Sequence, residues 1–286
     1  MAEELIEPPD AGATLARATL WTLAAVGAGL GMQVVMSLAR SISKDMAWID
    51  AFAELSSRPF GQMLTQMFGY GGVLLAVTVL SGRQTVIHLR ARTTTVAFAV
   101  VLGVALQFPL AELSNTTRMI FGYDPARLIQ LRYILEPTDP LRGALTVFAL
   151  VVGAPILEEA FFRGLLLAKL RIRYGAVGAV VYSALFFGVV HFRLEAAVPA
   201  LVAGLLLGAI RVRSVTILPC IVIHAAHNAV PLLLPSRLLE VPGLNSTAPG
   251  LGHVPVLLLV VSTFVALAAA AGLVASEAKE IDATAS

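Results

Sequence analysis

A small group of ionisable and amide side chains lies inside stretches apolar enough to be membrane helices. The group comprises Glu158, Glu159, Arg163, His191, His224 and Asn228. An ionisable group in hydrocarbon costs at least ~2.5–3.5 kcal/mol on the mildest insertion scale, so such groups persist where they face a bundle interior and have a function. A carboxylate, imidazoles and a carboxamide offer a base for water and donors for an oxyanion. The sequence therefore predicts an active site within a membrane.

The two adjacent carboxylates are predicted to have different roles. Glu159 and Arg163 are four residues apart with the acid first, which is the favourable order for an ion pair on one helix face. Glu158 points about 100° away around the helix and has no basic residue three or four positions from it. Desolvation would tune Glu158 towards general-base chemistry. Pro155 removes a backbone hydrogen bond just upstream, which favours a bend beside Glu158.

Two later segments carry the remaining polar groups at helical spacing. Phe187 and His191 are four residues apart, as are His224 and Asn228, so each pair shares a helix face. Counted from the nearest basic loops at ~1.5 Å per residue, these groups and Glu158 all lie ~15–20 Å or slightly more into the membrane. The common depth predicts that they converge. His227 remains an alternative to His224 as the functional histidine.

Composition predicts an all-α, polytopic membrane helix bundle. Hydrophobic residues make up 58% of the 286 residues and charged residues only 13%, which excludes an ordinary soluble enzyme. The net charge of +2 and the lack of an extended basic patch argue against nucleic-acid binding. The single cysteine, Cys220, excludes an intrachain disulfide. The acidic N-terminus is unlike a signal peptide, so the first apolar segment is expected to be retained.

About eight spans of sufficient length divide the chain, and the lipid bilayer is their expected surroundings. They are predicted near residues 14–38, 61–80, 94–113, 144–167, 176–191, 197–210, 215–234 and 254–275. Segments 41–60 and 114–142 are expected to be interfacial connections. The corresponding division is an N-terminal tail at 1–13, N-terminal helices at 14–140, a catalytic core at 141–234, a loop with the last helix at 235–275, and a C-terminal tail at 276–286.

Basic residues in alternate short loops predict the orientation of the bundle. They are concentrated at Arg83/Arg90/Arg92, Lys169/Arg171/Arg173 and Arg211/Arg213. The positive-inside rule places these loops in the cytoplasm, and with eight spans both termini then also lie there. We expect a multi-pass protein of a bacterial inner membrane.

At these residues the chain resembles the CPBP intramembrane proteases, which include the CAAX prenyl endopeptidases and relatives of bacteriocin-processing and bacteriocin-immunity proteins. The resemblance rests on Glu-Glu-x-x-x-Arg at 158–163, Phe-x-x-x-His at 187–191 and His-x-x-x-Asn at 224–228, and covers about a third of the chain. It implies a glutamate-type endopeptidase in which Glu158 activates water with help from His191. His224 and Asn228 would then stabilise the oxyanion, and Glu159 with Arg163 would hold the architecture.

The expected activity is cleavage of a membrane-associated, prenylated or otherwise lipidated, protein or peptide, without a cofactor. Zinc is the less favoured alternative, because the His-Glu-x-x-His signature is absent and asparagine is a poor zinc ligand. A non-catalytic scaffold or bacteriocin-immunity protein with the same fold is the alternative function. A transporter is disfavoured, since only one predicted helix carries mid-membrane carboxylates. A CAAX substrate would arrive at the cytoplasmic face, whereas the polar groups are predicted at mid-membrane or beyond it.

Overall fold

The protein is described here from a computed structural model that covers residues 12–81, 89–245 and 252–285. Within these ranges all regular structure is helical and no strand is present. The all-α prediction is therefore confirmed. Residues 1–11 of the predicted N-terminal tail and Arg83 of the first basic loop lie outside the described residues.

Twelve α-helices follow one another in the described ranges. They are α1 Leu15–Lys44, α2 Trp48–Ser56, α3 Pro59–Gln66, α4 Gly72–Ser81, α5 Thr93–Phe121, α6 Pro125–Leu135, α7 Pro140–Val147, α8 Ala154–Glu159, α9 Leu167–Val189, α10 Leu194–Arg211, α11 Leu218–Leu233 and α12 Val256–Ala285. Wider π-helical turns at Met67–Gly71, Phe148–Gly153 and Ala160–Leu166 connect α3 to α4, α7 to α8 and α8 to α9 without a loop.

Six segments in the described ranges are long and apolar enough to cross a bilayer. They are Leu15–Lys44, Gly61–Leu80, Thr93–Phe121, Pro140–Val189, Leu194–Arg211 and Val256–Lys279. The longest one is interrupted at Gly175, whose φ of 68° and ψ of −179° are not helical, so it contains two of the predicted spans. Together with the shorter apolar helix Leu218–Leu233, the count agrees with the prediction of about eight.

Two of the predicted boundaries near the site were wrong. Helix α5 continues beyond residue 113 to Phe121, because tertiary contacts satisfy its polar end: Ser114 Oγ donates to the Glu195 carbonyl at 2.7 Å, and Asn115 Nδ2 to the Gly243 carbonyl at 2.6 Å. His191 was expected inside the fifth span. Helix α9 instead ends at Val189, and His191 lies in the turn before α10.

The π-helical turns around α8 provide carbonyl groups for contacts between helices. A wider turn breaks the regular i to i−4 ladder and frees backbone acceptors. In the turn before Pro155, the Leu150 carbonyl accepts a hydrogen bond from Asn228 Nδ2 at 2.9 Å. In the turn after α8, the Phe162 carbonyl accepts one from Ser183 Oγ at 3.0 Å. The irregular backbone therefore attaches α8 to α9 and α11.

The basic loops lie at one end of the bundle. The N–H of Ala13, just before α1, donates to the Lys169 carbonyl at 3.0 Å, so the start of α1 lies beside the second basic loop. Near the other terminus, the Ser276 hydroxyl in α12 lies 2.7 Å from the Thr95 hydroxyl at the start of α5. The starts of α1 and α5 and the end of α12 therefore lie at the same end as the basic loops.

Close helix contacts hold the part of the bundle that carries the site. A Cβ added at Gly103 of α5 would lie only 2.3 Å from the Ile223 carbonyl oxygen of α11. In a second helix pair, Gly204 of α10 packs against α9, and a Cβ added at Gly204 would lie 3.0 Å from the Ala184 Cα. Small residues such as Gly103 and Gly204 allow such close approaches in membrane bundles.

Candidate functional site

Glu159, Arg163 and His224 form a fully packed ionic cluster. Glu159 and Arg163 are both 0% exposed, and the predicted i to i+4 pair is present, with Arg163 Nη1 at 3.1 Å from Glu159 Oε1. The same oxygen lies 2.9 Å from His224 Nδ1, and Arg163 Nη2 donates to the Gly204 carbonyl at 3.3 Å. Because a carboxylate accepts hydrogen bonds, His224 Nδ1 carries a hydrogen and Nε2 is left for other contacts.

Glu158 contacts a different set of groups. Its Oε1 accepts a hydrogen bond from Gln66 Nε2, at the end of α3, at 2.7 Å. Its Oε2 lies 3.9 Å from His224 Nε2, which is too long for a direct hydrogen bond. The two ring nitrogens of His224 therefore face the two carboxylates, one in direct contact and one across a gap. Glu158 is 8% exposed, so its carboxylate is largely shielded from solvent.

Phe187 packs against three of the predicted site residues. Its ring centroid lies 5.1 Å from that of His191 and 6.0 Å from that of His224, both edge-on. The Arg163 guanidinium carbon lies 4.5 Å from the same ring, within cation–π distance. His191 Nδ1 is 2.7 Å from the Phe187 carbonyl, which only accepts, so the hydrogen sits on Nδ1 and neutral His191 keeps a free electron pair on Nε2.

A cavity of about 320 Å³ adjoins the cluster. His191, His224, His227 and Asn228 all line it, so the predicted convergence of the two histidine segments is confirmed. Glu158 is not among the lining residues. Its Oε2 nevertheless faces His224, which does line the cavity. The structure thus brings Glu158 next to His224, while His191 contacts Phe187.

His227 and His224 occupy different positions in the cavity wall. His224 touches the carboxylates, whereas His227 Nδ1 is buried without a hydrogen-bond partner among the described residues. Asn228 uses one amide hydrogen for the Leu150 carbonyl, which leaves the second one free to donate elsewhere. By position, His224 rather than His227 lies next to Glu158 and Glu159.

Sequence reasoning missed several polar residues at the site. Gln66 is the direct partner of Glu158, and Gln107, Asn115 and Arg118 of α5 line the cavity. The signal was available for Gln66 and Gln107, because each places an amide side chain within a predicted span, where polar groups are costly. Arg118 had been assigned to an interfacial connection, because the end of α5 was placed too early.

No three histidine, cysteine, aspartate or glutamate side chains in the described part of the chain are grouped as metal ligands. Glu158 Oε2 and His224 Nε2 face each other, but the third nearby donor, Glu159 Oε1, is bound by Arg163 and by His224 Nδ1. The donor set around Glu158 is therefore poorly suited to a catalytic zinc, which uses three protein ligands.

Comparison with known proteins gives one match. Residues 140–230 match the family model of the Rce1-like type II CAAX prenyl endopeptidases. No curated protein and no solved structure matches the chain. The matched segment contains all seven residues of the three motifs, while Gln66 and Arg118 lie outside it. The predicted resemblance is thus confirmed over residues 140–230, the segment of this multi-pass membrane protein that is similar to the Rce1-like type II CAAX prenyl endopeptidases, a family of proteases.

Proposed function

We propose that the protein is an intramembrane endopeptidase that hydrolyses a peptide bond of a membrane-associated protein or peptide with water activated by Glu158. The family match over residues 140–230 supports protease activity in general. The glutamate mechanism and the roles of individual residues are our proposal, and they follow from the chemistry of the contacts described above.

In this mechanism Glu158 takes a proton from water while the water oxygen bonds to the carbonyl carbon of the substrate. Gln66 holds one oxygen of the carboxylate, so the other is directed to the gap before His224 Nε2. The negative charge that develops on the carbonyl oxygen needs donors, and the candidates are the free Asn228 amide hydrogen and His224 Nε2, which donates when both ring nitrogens of His224 carry a proton. The C–N bond then breaks, and the proton passes to the leaving amine.

The observation that carries the proposal is the unequal partnering of two neighbouring carboxylates. Glu159 is fully buried and bound by Arg163 and His224, which is the arrangement of a structural ion pair. Glu158 has an amide partner on one oxygen and a 3.9 Å gap on the other. A gap longer than 3.5 Å between polar groups is where a bridging water is expected. A purely structural carboxylate would have no need of this second, unpaired position.

The test is a mass-spectrometric census of new protein termini in membranes of cells that express the wild type or Glu158→Gln. The substitution keeps size and hydrogen bonding but removes the base. Asp50→Asn, at an exposed position in α2, is the matched control. Termini that appear with the wild type and with Asp50→Asn, but not with Glu158→Gln, are expected and would name the substrates.

One observation favours the non-catalytic alternative: Glu158 does not line the cavity. A scaffold or immunity protein would need the ionic cluster for folding but no route for substrate to Glu158. If Glu158→Gln is as abundant as the wild type and leaves the census of termini unchanged, the catalytic role of Glu158 is wrong and the scaffold function replaces it.

We also propose that no metal is needed and that the basic loops face the cytoplasm of a bacterium. Unchanged activity in strong chelators is expected, and a loss of activity that zinc restores would overturn the metal-free mechanism.

To test the orientation, Cys220→Ala provides a cysteine-free background. In intact cells a membrane-impermeant maleimide should label Leu238→Cys and should label Arg213→Cys only after permeabilisation. The opposite pattern would invert the orientation.

A further inference from the structure

The cavity beside the cluster extends along one face of α5. Gln107, Ala111, Ser114, Asn115 and Arg118 all line it, at the spacing of a single helical stripe. Gln107 and Arg118 are eleven residues apart, which corresponds to about 16 Å along the helix. The cavity is therefore elongated. His224 lies towards one end, and the Arg118 guanidinium lies towards the other.

The position of Arg118 follows from how α5 packs on α11. Gly103 of α5 touches the Ile223 carbonyl of α11, and farther along both helices Asn115 bonds to the Gly243 carbonyl beyond the end of α11. The two helices therefore run in the same direction, and both begin at the basic loops. His224 lies near the level of Gly103, whereas Arg118 lies near the opposite end of the bundle. The Arg118 end of the cavity thus faces away from the basic loops.

Arg118 has few partners for its charge. Within the described residues, its hydrogen bond is to the neutral Asn115 Oδ1 at 3.3 Å. Glu195 attracts it, but that carboxylate is bound by Arg193 Nε at 2.5 Å. Two guanidinium groups therefore share this one carboxylate, so these three groups together carry a net positive charge. A planar guanidinium with free donors matches a carboxylate in bidentate geometry.

We propose that Arg118 is the anion subsite of this cavity and binds a carboxylate of the peptide that occupies it. The inference rests on the proposed peptidase function and adds to it the chemistry of the substrate and the side from which it arrives. His224 lies near the level of Gly103, fifteen residues or about 22 Å along α5 from Arg118. An extended chain advances about 3.3–3.6 Å per residue, so this distance corresponds to roughly six or seven residues between the scissile bond and the carboxylate. The carboxylate is either the C-terminus of the peptide or an acidic side chain.

The test uses purified protein in lipid nanodiscs and matched sets of short fluorescent peptides. One set has a free C-terminal carboxylate, one has a C-terminal amide, and one has each acidic residue replaced by its amide. Binding is measured to Glu158→Gln, alone and combined with Arg118→Gln or Arg118→Lys, and cleavage is measured with Glu158 present. Arg173→Gln, an exposed arginine at the basic-loop end, is the matched charge control. Thermal unfolding checks that each variant is folded.

We expect Arg118→Gln to weaken binding of carboxylate peptides roughly 10- to 100-fold, the range of a hydrogen bond to a charged group, and Arg173→Gln to have no effect. Arg118→Lys should give an intermediate loss, because it keeps the charge but not the fork. If the C-terminal amide removes the effect of Arg118→Gln, the subsite reads a free C-terminus. If amidation of one acidic residue removes it, the subsite reads that side chain.

Equal binding of acid and amide peptides by Glu158→Gln and by the folded double variant with Arg118→Gln would overturn the inference. The binding arm separates this failure from failure of the proposed function. Binding that depends on Arg118 without any cleavage that depends on Glu158 would refute the peptidase and leave the subsite standing. Cleavage that depends on Glu158 but is insensitive to Arg118 would refute the subsite alone.

Discussion

Removal of Arg163 is expected to destabilise the protein strongly without removing any group that touches substrate. Arg163→Met keeps the length of the side chain but removes the 3.1 Å contact with Glu159 and the 3.3 Å hydrogen bond to the Gly204 carbonyl. It also removes the guanidinium that packs on the Phe187 ring. Glu159 would then be a fully buried carboxylate with His224 as its remaining partner.

The size of the effect separates two explanations of the cluster. Breaking a buried ion pair from one side costs about 3–5 kcal/mol, because it leaves an uncompensated charge. Ordinary polar contacts between membrane helices contribute only ~0.6 kcal/mol on average. We therefore expect Arg163→Met to lower the free energy of unfolding by at least about 3 kcal/mol. Adding Glu159→Gln removes the stranded charge, so the double variant should recover most of the loss.

The assay is equilibrium unfolding in mixed micelles with increasing denaturing detergent, followed by far-UV circular dichroism. The four proteins of the Glu159 and Arg163 cycle are compared, with Glu158→Gln as the control for a neighbouring carboxylate. Glu158→Gln should change the unfolding free energy by less than about 1 kcal/mol, because glutamine keeps the hydrogen bond with Gln66. A loss below about 1 kcal/mol for Arg163→Met, or no recovery in the double variant, would refute the buried-charge reasoning.

Three further predictions address the site and its surroundings. Gln66→Ala should reduce kcat roughly tenfold or more while the protein remains folded, since the charged base loses its 2.7 Å donor, and an unchanged kcat would exclude this positioning role. Gly103→Ala should lower the free energy of unfolding by about 1–3 kcal/mol, because its Cβ would meet a carbonyl oxygen of α11 at 2.3 Å. Gly27→Ala is the control, because a Cβ added there has nothing within 4 Å. Equal melting temperatures of the two variants would contradict the predicted steric clash. Glu54 lies in α2, outside the spans, and two hydrogen bonds from Arg40 near the end of α1, at 2.5 and 2.6 Å, help to lower the pKa of Glu54 from 4.5 to about 2. A lowered carboxyl pKa stabilises the folded state above pH 4.5. Near the surface this contribution to the free energy of unfolding is under about 1 kcal/mol, and it should be lost as pH falls from about 4.5 towards 2. Arg40→Gln should remove that part of the pH dependence of the melting temperature, and an unchanged slope would contradict it.

The helical bundle was largely predictable from the sequence, because a bilayer imposes its own length and polarity on each span. Helices must satisfy their backbone groups internally in lipid, so about twenty apolar residues identify a span without knowledge of its neighbours. The break between the fourth and fifth spans was also found, and it falls at Gly175. The errors arose where neighbours supply partners. The polar end of α5 stays helical because Ser114 and Asn115 find carbonyls on other segments.

In the candidate site, the sequence determined what depends on a single helix. The 3.6-residue repeat alone placed Glu159 with Arg163 and turned Glu158 away from them, and the structure has this arrangement. The contact of Glu159 with Arg163 is local, so the helical repeat decides it before the chain packs. Phe187 also packs on His191, four positions later, although His191 lies in the turn that follows α9.

Only the tertiary structure decided which groups meet across helices. It gave Glu158 its partner Gln66, ninety-two positions away in the sequence, and put one His224 nitrogen on each carboxylate. It also directed the cavity along α5 towards Arg118, away from the basic loops. Such contacts depend on the rotation and depth of each helix against its neighbours. Small residues and close packing set both, and the period of one helix contains no information about either.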